Sequence, residues 1–526
     1  MSELTLPPPD AGDVRAIAAE LILVVSVIVT LVVRCVTDRV QRYAGAIAGL
    51  AGLAAFLLTA WELVVLHHTL PAASEIASQG RYDRVLFDGH LLHSPLTLLF
   101  RLLVLLSFWL TAALCSLTGL PKAKQAVDFW TLMTGATVGM LLTVTASSVL
   151  MMFVGIEMMS VPGYVLAAYF KGRAEATESS LKYVVYGAGA SGLMLYGLSV
   201  LVGLSGELEL APLLDRTASL LEVGPSGSGI ESVFVLTALL MVTVGLAFKL
   251  SAAPFHFWCP DVFTGAPAEV GGFLSVASKL ATLGLALRLS LMAEGRAAAA
   301  FAAAFAVYSL LSVIYGNLAA YSQINAKRLM AYSTIAQAGY LCLGVAAAAF
   351  LPREQRPAAA AAAIYYAFAY VFMNMTVFAG IAALRNATGG VQLGDYRLLA
   401  RRTGSTTIVI GGIAAACFSL VGLPPFAGFF GKLLVFASAF EAAQQSTLMA
   451  TTLAASMLMS IVSLGYYLKL IAPMVFSPAI EAGLRIRVRP ELSLFVAMLA
   501  ASLFLMLIPL AGPLLELAQR IAATAV

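Results

Sequence analysis

Long apolar runs separated by short polar punctuation fill the chain almost end to end. A bilayer-crossing helix needs ~20 mostly apolar residues. Such runs recur at about 16–33, 44–66, 94–118, 126–146, 148–170, 181–203, 230–262, 268–290, 298–320, 327–350, 358–384, 406–441, 447–475 and 491–518. The pattern predicts an all-α polytopic membrane protein of fourteen spans. Two runs are too long for one straight helix: 230–262 contains Pro254 and Pro260, and 406–441 contains Gly422-Leu423-Pro424-Pro425. Proline removes a backbone donor and clashes with the preceding turn, so spans seven and twelve are expected to break there. Freed backbone at membrane depth has to line protein or a water cavity, which makes broken helices a transporter feature.

The two broken spans lie five apart, and each carries a Pro-Phe pair near a lysine: Lys249-Leu-Ser-Ala-Ala-Pro254-Phe255-His256 and Pro424-Pro425-Phe426-Ala-Gly-Phe-Phe-Gly-Lys432. An odd offset reverses direction in the membrane, so inverted five-helix repeats are expected over spans 4–8 and 9–13. The chain then divides into 1–125 (spans 1–3), 126–290 (first repeat), 298–475 (second repeat) and 491–526 (span 14).

Orientation follows from the basic residues of the loops. Odd-numbered loops hold sixteen: Arg34, Arg39, Arg42, Lys122, Lys124, Lys171, Arg173, Lys327, Arg328, Arg385, Arg397, Arg401, Arg402, Arg485, Arg487 and Arg489. Even-numbered loops hold six: Arg81, Arg84, Arg216, Arg296, Arg353 and Arg356. The odd loops are therefore expected in the cytoplasm and both termini on the opposite, periplasmic side of a bacterial inner membrane. The acidic stretch from Ser205 to Gly229 fits that outer side.

Composition narrows the class further. Hydrophobic residues make up 61% and charged residues 11%, against roughly 45–50% and 25% in soluble domains. The net charge of +4 is dispersed, so a lipid bilayer is expected as surroundings and no nucleic acid as partner. Cys35, Cys115, Cys259, Cys342 and Cys417 lack CxxC or Cys/His spacing, which signals neither zinc nor an iron–sulfur cluster. No Walker or dinucleotide motif occurs, and Gly187-Ala-Gly189-Ala-Ser-Gly192 falls inside a span, where small residues serve helix packing. The acidic, proline-rich start argues against a cleaved signal peptide.

Charges at depth carry the candidate chemistry, because an ionisable side chain at the bilayer centre costs ~2.5–3.5 kcal/mol. Glu157 lies ten residues into span five, Lys249 just before the break of span seven, Lys279 in the middle of span eight and Lys432 just past the break of span twelve. Lys182 begins span six and is shallower. Singly, each is as compatible with a buried ion pair or a snorkelling side chain. Together, with two beside helix breaks, they favour a proton path, since a desolvated lysine shifts its pKa readily and a nearby carboxylate restores the charged form. His256 is either a relay or a hydrogen-bond partner of exposed backbone. His67, His68, His90 and His93 read as interfacial, and Glu20, Glu62, Arg101, Arg288 and Lys469 as structural.

The stretch from Gly245 to Ala281, GLAFKLSAAPFHFWCPDVFTGAPAEVGGFLSVASKLA, resembles the hallmark segment of the NADH-quinone oxidoreductase (respiratory complex I) subunit N family, whose members are related to mitochondrial subunit 2. Gly155-Ile-Glu157-Met-Met-Ser160, Leu181-Lys182-Tyr183, Arg328-Leu-Met-Ala-Tyr-Ser-Thr-Ile-Ala-Gln-Ala-Gly339 and Gly422 to Lys432 match in the same order. The resemblance implies a translocase subunit that passes protons along Glu157, Lys249, Lys279 and Lys432, with Lys182 alongside, and holds no cofactor itself. FMN, iron–sulfur clusters and quinone are then expected in partner subunits, and other antiporter-like membrane subunits as neighbours. Departures are small: Cys259 stands where Thr is usual, and Phe426 where Leu is common. A subunit of a multi-subunit cation/proton antiporter is the alternative within the same superfamily, and a passive scaffold is a third reading that the retained lysines disfavour.

Overall fold

The computed structural model describes residues 11–69, 83–169, 174–222, 229–399, 404–477, 488–505 and 511–525. Arg81, Lys171, Arg173, Arg401, Arg402, Arg485 and Arg487, counted in the charge bias, lie outside them, as do the side chains of His67 and His68 and the first ten residues. The helices in chain order are α1 (Ala11–Ala16), α2 (Ala18–Val36), α3 (Ala44–Thr69), α4 (Pro95–Thr118), α5 (Ala126–Thr145), α6 (Val149–Ala167), α7 (Ala174–Ser205), α8 (Leu210–Glu222), α9 (Gly229–Leu250) and α10 (Trp258–Gly265). They continue with α11 (Ala268–Met292), α12 (Gly295–Ala320), α13 (Ala326–Phe350), α14 (Arg356–Thr388), α15 (Ser405–Val421), α16 (Ala427–Ala443), α17 (Thr447–Val475), α18 (Pro490–Leu505) and α19 (Ala511–Ala523). Twelve are long and apolar enough to cross a membrane, and the shorter Ser405–Val421 and Pro490–Phe504 complete the fourteen expected spans.

Both expected breaks are present. After α9 the chain turns through 251–257 before α10, and the exposed backbone is satisfied by protein groups: Trp258 Nε1 donates to the Phe248 carbonyl at 3.0 Å and the Ala253 amide to Ser312 Oγ at 2.8 Å. Between α15 and α16, Gly422 takes a left-handed φ of 91°, a conformation only glycine adopts freely, and the Gly428 amide donates to Ser419 Oγ at 3.1 Å. Pro260 does not break anything. It sits in the first turn of α10, where an amide would have no intrahelical acceptor.

The repeats show in matching hairpins. Gly139 of α5 and Gly155 of α6 each leave no room for a Cβ against the partner's backbone, at Met159 and Thr143. Gly316 of α12 does the same at the Ala336 backbone, and Gly339 of α13 lies closely against the Val313 side chain. Small residues let helices approach closely in a membrane, so the first two helices of each repeat form equivalent tight pairs. The stripe in α7 behaves differently: Gly187 accommodates the Tyr164 hydroxyl, whereas Gly189 and Gly192 have nothing near them and are exposed.

Three features depart from the expected pattern. A short antiparallel hairpin, β1 (Arg84–Leu86) with β2 (Leu91–His93), covers one end of the bundle between α3 and α4. The acidic stretch folds into α8, which buries Leu210, Leu213, Leu214 and Leu221 at helical spacing. Span fourteen comprises α18 and α19, with 506–510 outside the described residues. The apolar window of α11 is wholly buried, and those of α13 and α14 are 94% and 89% buried, against 22% for α2 and α3. The protected interior thus lies at α11, α13 and α14.

Candidate functional site

Lys249 and Lys432 each lie beside a helix break. Lys249 lies in the last turn of α9, and Lys432 Nζ donates to the carbonyl of Val421, the last residue of α15, at 3.1 Å. A helix C-terminus carries about half a negative charge and unsatisfied carbonyls, and α15 presents that end to the buried Lys432 ammonium.

Lys249 is 3% exposed. Its Nζ donates to Ser160 Oγ on α6, which donates in turn to the Ile156 carbonyl. The ammonium also lies 5.6 Å from the centroid of Tyr164 and 5.0 Å from that of Phe248. Glu157 stands one turn away from Ser160 on α6, half-buried, and accepts from Ser191 Oγ of α7. Glu157 and Lys249 therefore form no direct ion pair among the described residues; two serines stand with them.

Lys182 is not part of the buried interior. It lies eight residues into α7, pairs with Glu178 at 2.7 Å and Asp261 at 2.8 Å, and its side chain is 38% exposed. Arg328 holds the other oxygen of Asp261 at 3.0 Å. Asp261 is the residue that sequence reasoning missed; an acid directly after Pro260 beside a break was the available signal.

Lys279, at the middle of α11, is wholly buried, and its Nζ has no hydrogen-bond partner among the described residues. Trp258 and Phe263 of α10 present their rings at 5.6 and 6.0 Å, so aromatic faces are its nearest electrostatic support. Lys432 adds Ser460 Oγ of α17 at 3.0 Å and the Tyr340 ring at 4.1 Å to its carbonyl.

Between these two lysines runs a set of neutral groups. One turn before Lys279, the Ser275 carbonyl accepts from Tyr370 Oη at 3.1 Å, while Asn374 Nδ2 donates to Tyr370 Oη at 2.6 Å, Ser275 Oγ at 3.3 Å and Thr334 Oγ1 at 3.5 Å. Beside Thr334, the Ser333 and Tyr467 hydroxyls meet at 2.5 Å. Gln337 Nε2 donates to Tyr467 Oη at 3.2 Å and to the Leu420 carbonyl at 3.1 Å, at the break next to Lys432. Hydroxyl and amide groups of this kind both donate and accept, and they make the interior between Lys279 and Lys432 polar.

His256 is 3% exposed and packs at 4.5 Å against Tyr315 and 4.7 Å against Phe257. Its Nδ1 makes no hydrogen bond among the described residues, so the expected bond to backbone is not formed. Of the other histidines, His90 Nδ1 lies 3.0 Å from Ser148 Oγ. His93 is lowered to about 4, chiefly by burial and further by Arg101 and Arg84, and is neutral at pH 7. Arg101 pairs with Glu20 at 2.6 Å, both buried, in agreement with a structural role. Among the described residues no three His, Cys, Asp or Glu side chains converge as a metal site.

Comparison with known proteins adds to this geometry. A family model described as "NADH:quinone oxidoreductase/Mrp antiporter, TM" matches residues 146–459. NADH-quinone oxidoreductase subunit N of Moorella thermoacetica is 35% identical, covering 84% of this chain and 87% of that protein. NAD(P)H-quinone oxidoreductase subunit 2 of Thermosynechococcus vestitus is 33% identical, covering 92% and 86%. Among solved structures, a chain of respiratory complex I from Thermus thermophilus is 28% identical with a TM-score of 0.72, covering 94% of this chain and 98% of that one. A chain of the Mrp complex from Dietzia has a TM-score of 0.76 at 19% identity, covering 97% of each, which is a likeness of fold.

Proposed function

The chain belongs to the NADH:quinone oxidoreductase/Mrp antiporter membrane family, and from that premise we propose that it is the antiporter-like subunit N of an NADH-quinone oxidoreductase, moving protons while electrons pass from NADH to quinone in other subunits. The observation that carries the reading is the buried row Lys249, Lys279 and Lys432, with neutral donors and acceptors in the interior between the last two. FMN, iron–sulfur clusters and quinone belong in this proposal to partner subunits. Relatives at 33–35% identity over most of the chain favour this reading over a free cation/proton antiporter, whose support is similarity of fold.

In the proposed mechanism, electron transfer reaches this chain as a change of field on the flank around Glu157, where Val154, Met158 and Val161 are exposed. Weakening the pull of Glu157 on Lys249 releases the Lys249 proton toward Lys279. The proton then crosses the Ser, Asn, Tyr and Gln groups to Lys432. The first spans, 1–125, stand outside this path, and His256 borders it.

The test is the number of protons pumped per electron in complexes whose assembly is verified on native gels. Lys249→Ala is expected to lower NADH-driven pumping about a hundredfold, and Lys249→Arg to rescue poorly, because a guanidinium does not release its proton. Wild-type pumping in an assembled Lys249→Ala complex would refute the relay. The location, a bacterial inner membrane with both termini periplasmic, rests on the loop charges; a cysteine placed near Arg397 should react from the cytoplasm and one near Asp215 from the periplasm, and the reverse pattern would overturn it.

A further inference from the structure

The first three spans carry charges that the proton path does not use. Beside the β1–β2 hairpin lies a cavity of about 270 Å³, lined among others by Arg15, Trp61, Glu62, Arg84 and His93. Arg15 stands at the end of α1, just before α2, and Glu62 lies two turns before the end of α3, so the cavity sits near the ends of the spans and not at their middle. Neighbouring charges satisfy one another: Arg84 is held by Asp13 at 3.0 Å, and the buried Arg101 by Glu20 at 2.6 Å. The side chains of Arg15, which is exposed, and Glu62, which is half-buried, form no ion pair or hydrogen bond among the described residues. His93, neutral at pH 7, adds an Nδ1 without a hydrogen-bond partner among the described residues.

With the paired charges set aside, one guanidinium and one carboxylate line the same space. A simple anion would leave Glu62 opposed, and a simple cation would leave Arg15 opposed. A molecule carrying both charges satisfies both. The surface leading to the cavity adds a second requirement. On α3 the exposed Leu50, Leu57, Trp61, Val64 and Val65 fall on one helical face, an apolar strip that ends at the cavity, where Trp61 and Val65 are also lining residues. Indole rings concentrate where a membrane meets water, which fits Trp61 beside the charged groups. The ligand that matches is therefore zwitterionic at one end and hydrocarbon at the other.

We propose that this cavity binds the headgroup of phosphatidylethanolamine, its phosphate on Arg15, its ammonium on Glu62 and an acyl chain along the α3 strip. The planar guanidinium suits a phosphate, and a primary ammonium donates N–H groups to a carboxylate that is otherwise half-buried without a partner. Phosphatidylcholine carries the same charges, but its trimethylammonium has no N–H to give. Phosphatidylglycerol brings the phosphate without any positive charge for Glu62. The inference does not rest on the proton-path reading.

The experiment is photocrosslinking of the whole complex in proteoliposomes. Three probes that share one photoreactive acyl chain, with ethanolamine, choline or glycerol headgroups, are each added at the same mole fraction to vesicles of otherwise fixed composition, and labelled peptides of this chain are read by mass spectrometry. The ethanolamine probe is expected to label Ala44–Thr69 about tenfold more than the other two, the worth of one charge-assisted hydrogen bond. In complexes whose assembly is verified on native gels, Glu62→Gln should bring the ethanolamine label down to the choline level and leave the choline label unchanged, and Arg15→Gln should lower the ethanolamine label as well. Equal labelling of the wild type by all three probes would mean ordinary boundary lipid and overturn the proposal. Stronger labelling by the glycerol probe would overturn it in favour of a basic site, and absence of label from Ala44–Thr69 would overturn it in favour of a neighbouring subunit covering the strip. An ethanolamine preference that survives Glu62→Gln would also overturn it. The comparison of probes in the wild type needs no variant, so it decides the matter even if Glu62→Gln fails to assemble.

Discussion

Lys279 and Lys432 occupy the same protected interior in opposite surroundings. Lys279 meets aromatic rings at 5.6 and 6.0 Å and no hydrogen-bond acceptor among the described residues; Lys432 is held by a carbonyl at 3.1 Å and a hydroxyl at 3.0 Å. Aligning the repeats on Arg288 and Lys469 puts Lys279 opposite Ser460, nine residues earlier in each helix. Ser460 is the hydroxyl that accepts from Lys432. One copy of the repeat thus keeps a lysine where the other keeps an acceptor for a lysine on a neighbouring helix. The difference teaches that the two halves are alike in backbone and unlike in what holds a charge.

Four experiments test this contrast, in descending size. Glu269, at the start of α11 and wholly buried, is bound by two nitrogens of Arg385 at 3.0 and 2.9 Å. Arg385→Gln is expected to cost about 3 kcal/mol, the lower end of the range for breaking a buried pair, because the Arg385 side chain is 23% exposed. Hydrogen exchange should quicken along Ala268–Met292 and stay slow along Ala427–Ala443; equal loosening of both helices would refute the distinction.

Next, Lys279→Leu and Lys432→Leu should each reduce pumping about a hundredfold but separate in stability. Removing Lys279 deletes a donor without an acceptor and should leave thermal stability unchanged or raised. Removing Lys432 takes a donor from Ser460 Oγ and from the Val421 carbonyl, which still accepts from Ser460 Oγ at 2.8 Å, and should cost about 1 kcal/mol. Equal melting temperatures in the two assembled variants would erase the contrast. A smaller effect is expected for Ser460→Ala, about 1 kcal/mol, visible as a severalfold drop in pumping that the same change at Ser278, which bonds only its own helix at Leu274, does not produce. The smallest is Tyr467→Phe. It loses the hydroxyl shared by Ser333 and Gln337, and pumping is expected to slow about twofold, for a loss of about 0.5 kcal/mol.

How much of this was legible in the chain follows from what each residue costs in a membrane. Glu157, Lys249, Lys279 and Lys432 stood out because a charge interrupts an apolar run, and Pro254 and Pro425 because proline interrupts a helix. Ser275, Gln337, Tyr370, Asn374 and Tyr467 did not, since neutral polar residues satisfy themselves against their own helix or a neighbour and leave no mark on hydropathy. The separation of Glu157 from Lys249 by serines is a matter of side-chain placement that spacing does not encode. Pro260 was misjudged because its effect depends on position within a helix, and the pairing of Lys182 with Asp261 was not visible because the two lie in distant segments. The helix α8 was hidden by its polar face, although Leu210, Leu213, Leu214 and Leu221 already showed the period.

The complete burial of α11 also bears on how the chain is made. Its apolar window contacts only protein, yet the helix carries Glu269, Lys279 and Arg288, and a central lysine alone adds ~2.5–3.5 kcal/mol to the free energy of entering lipid during synthesis. Its ion-pair partner Arg385 and the Asn374 and Tyr370 groups around Ser275 are encoded about a hundred residues later. This segment therefore emerges from the ribosome before the residues that satisfy it.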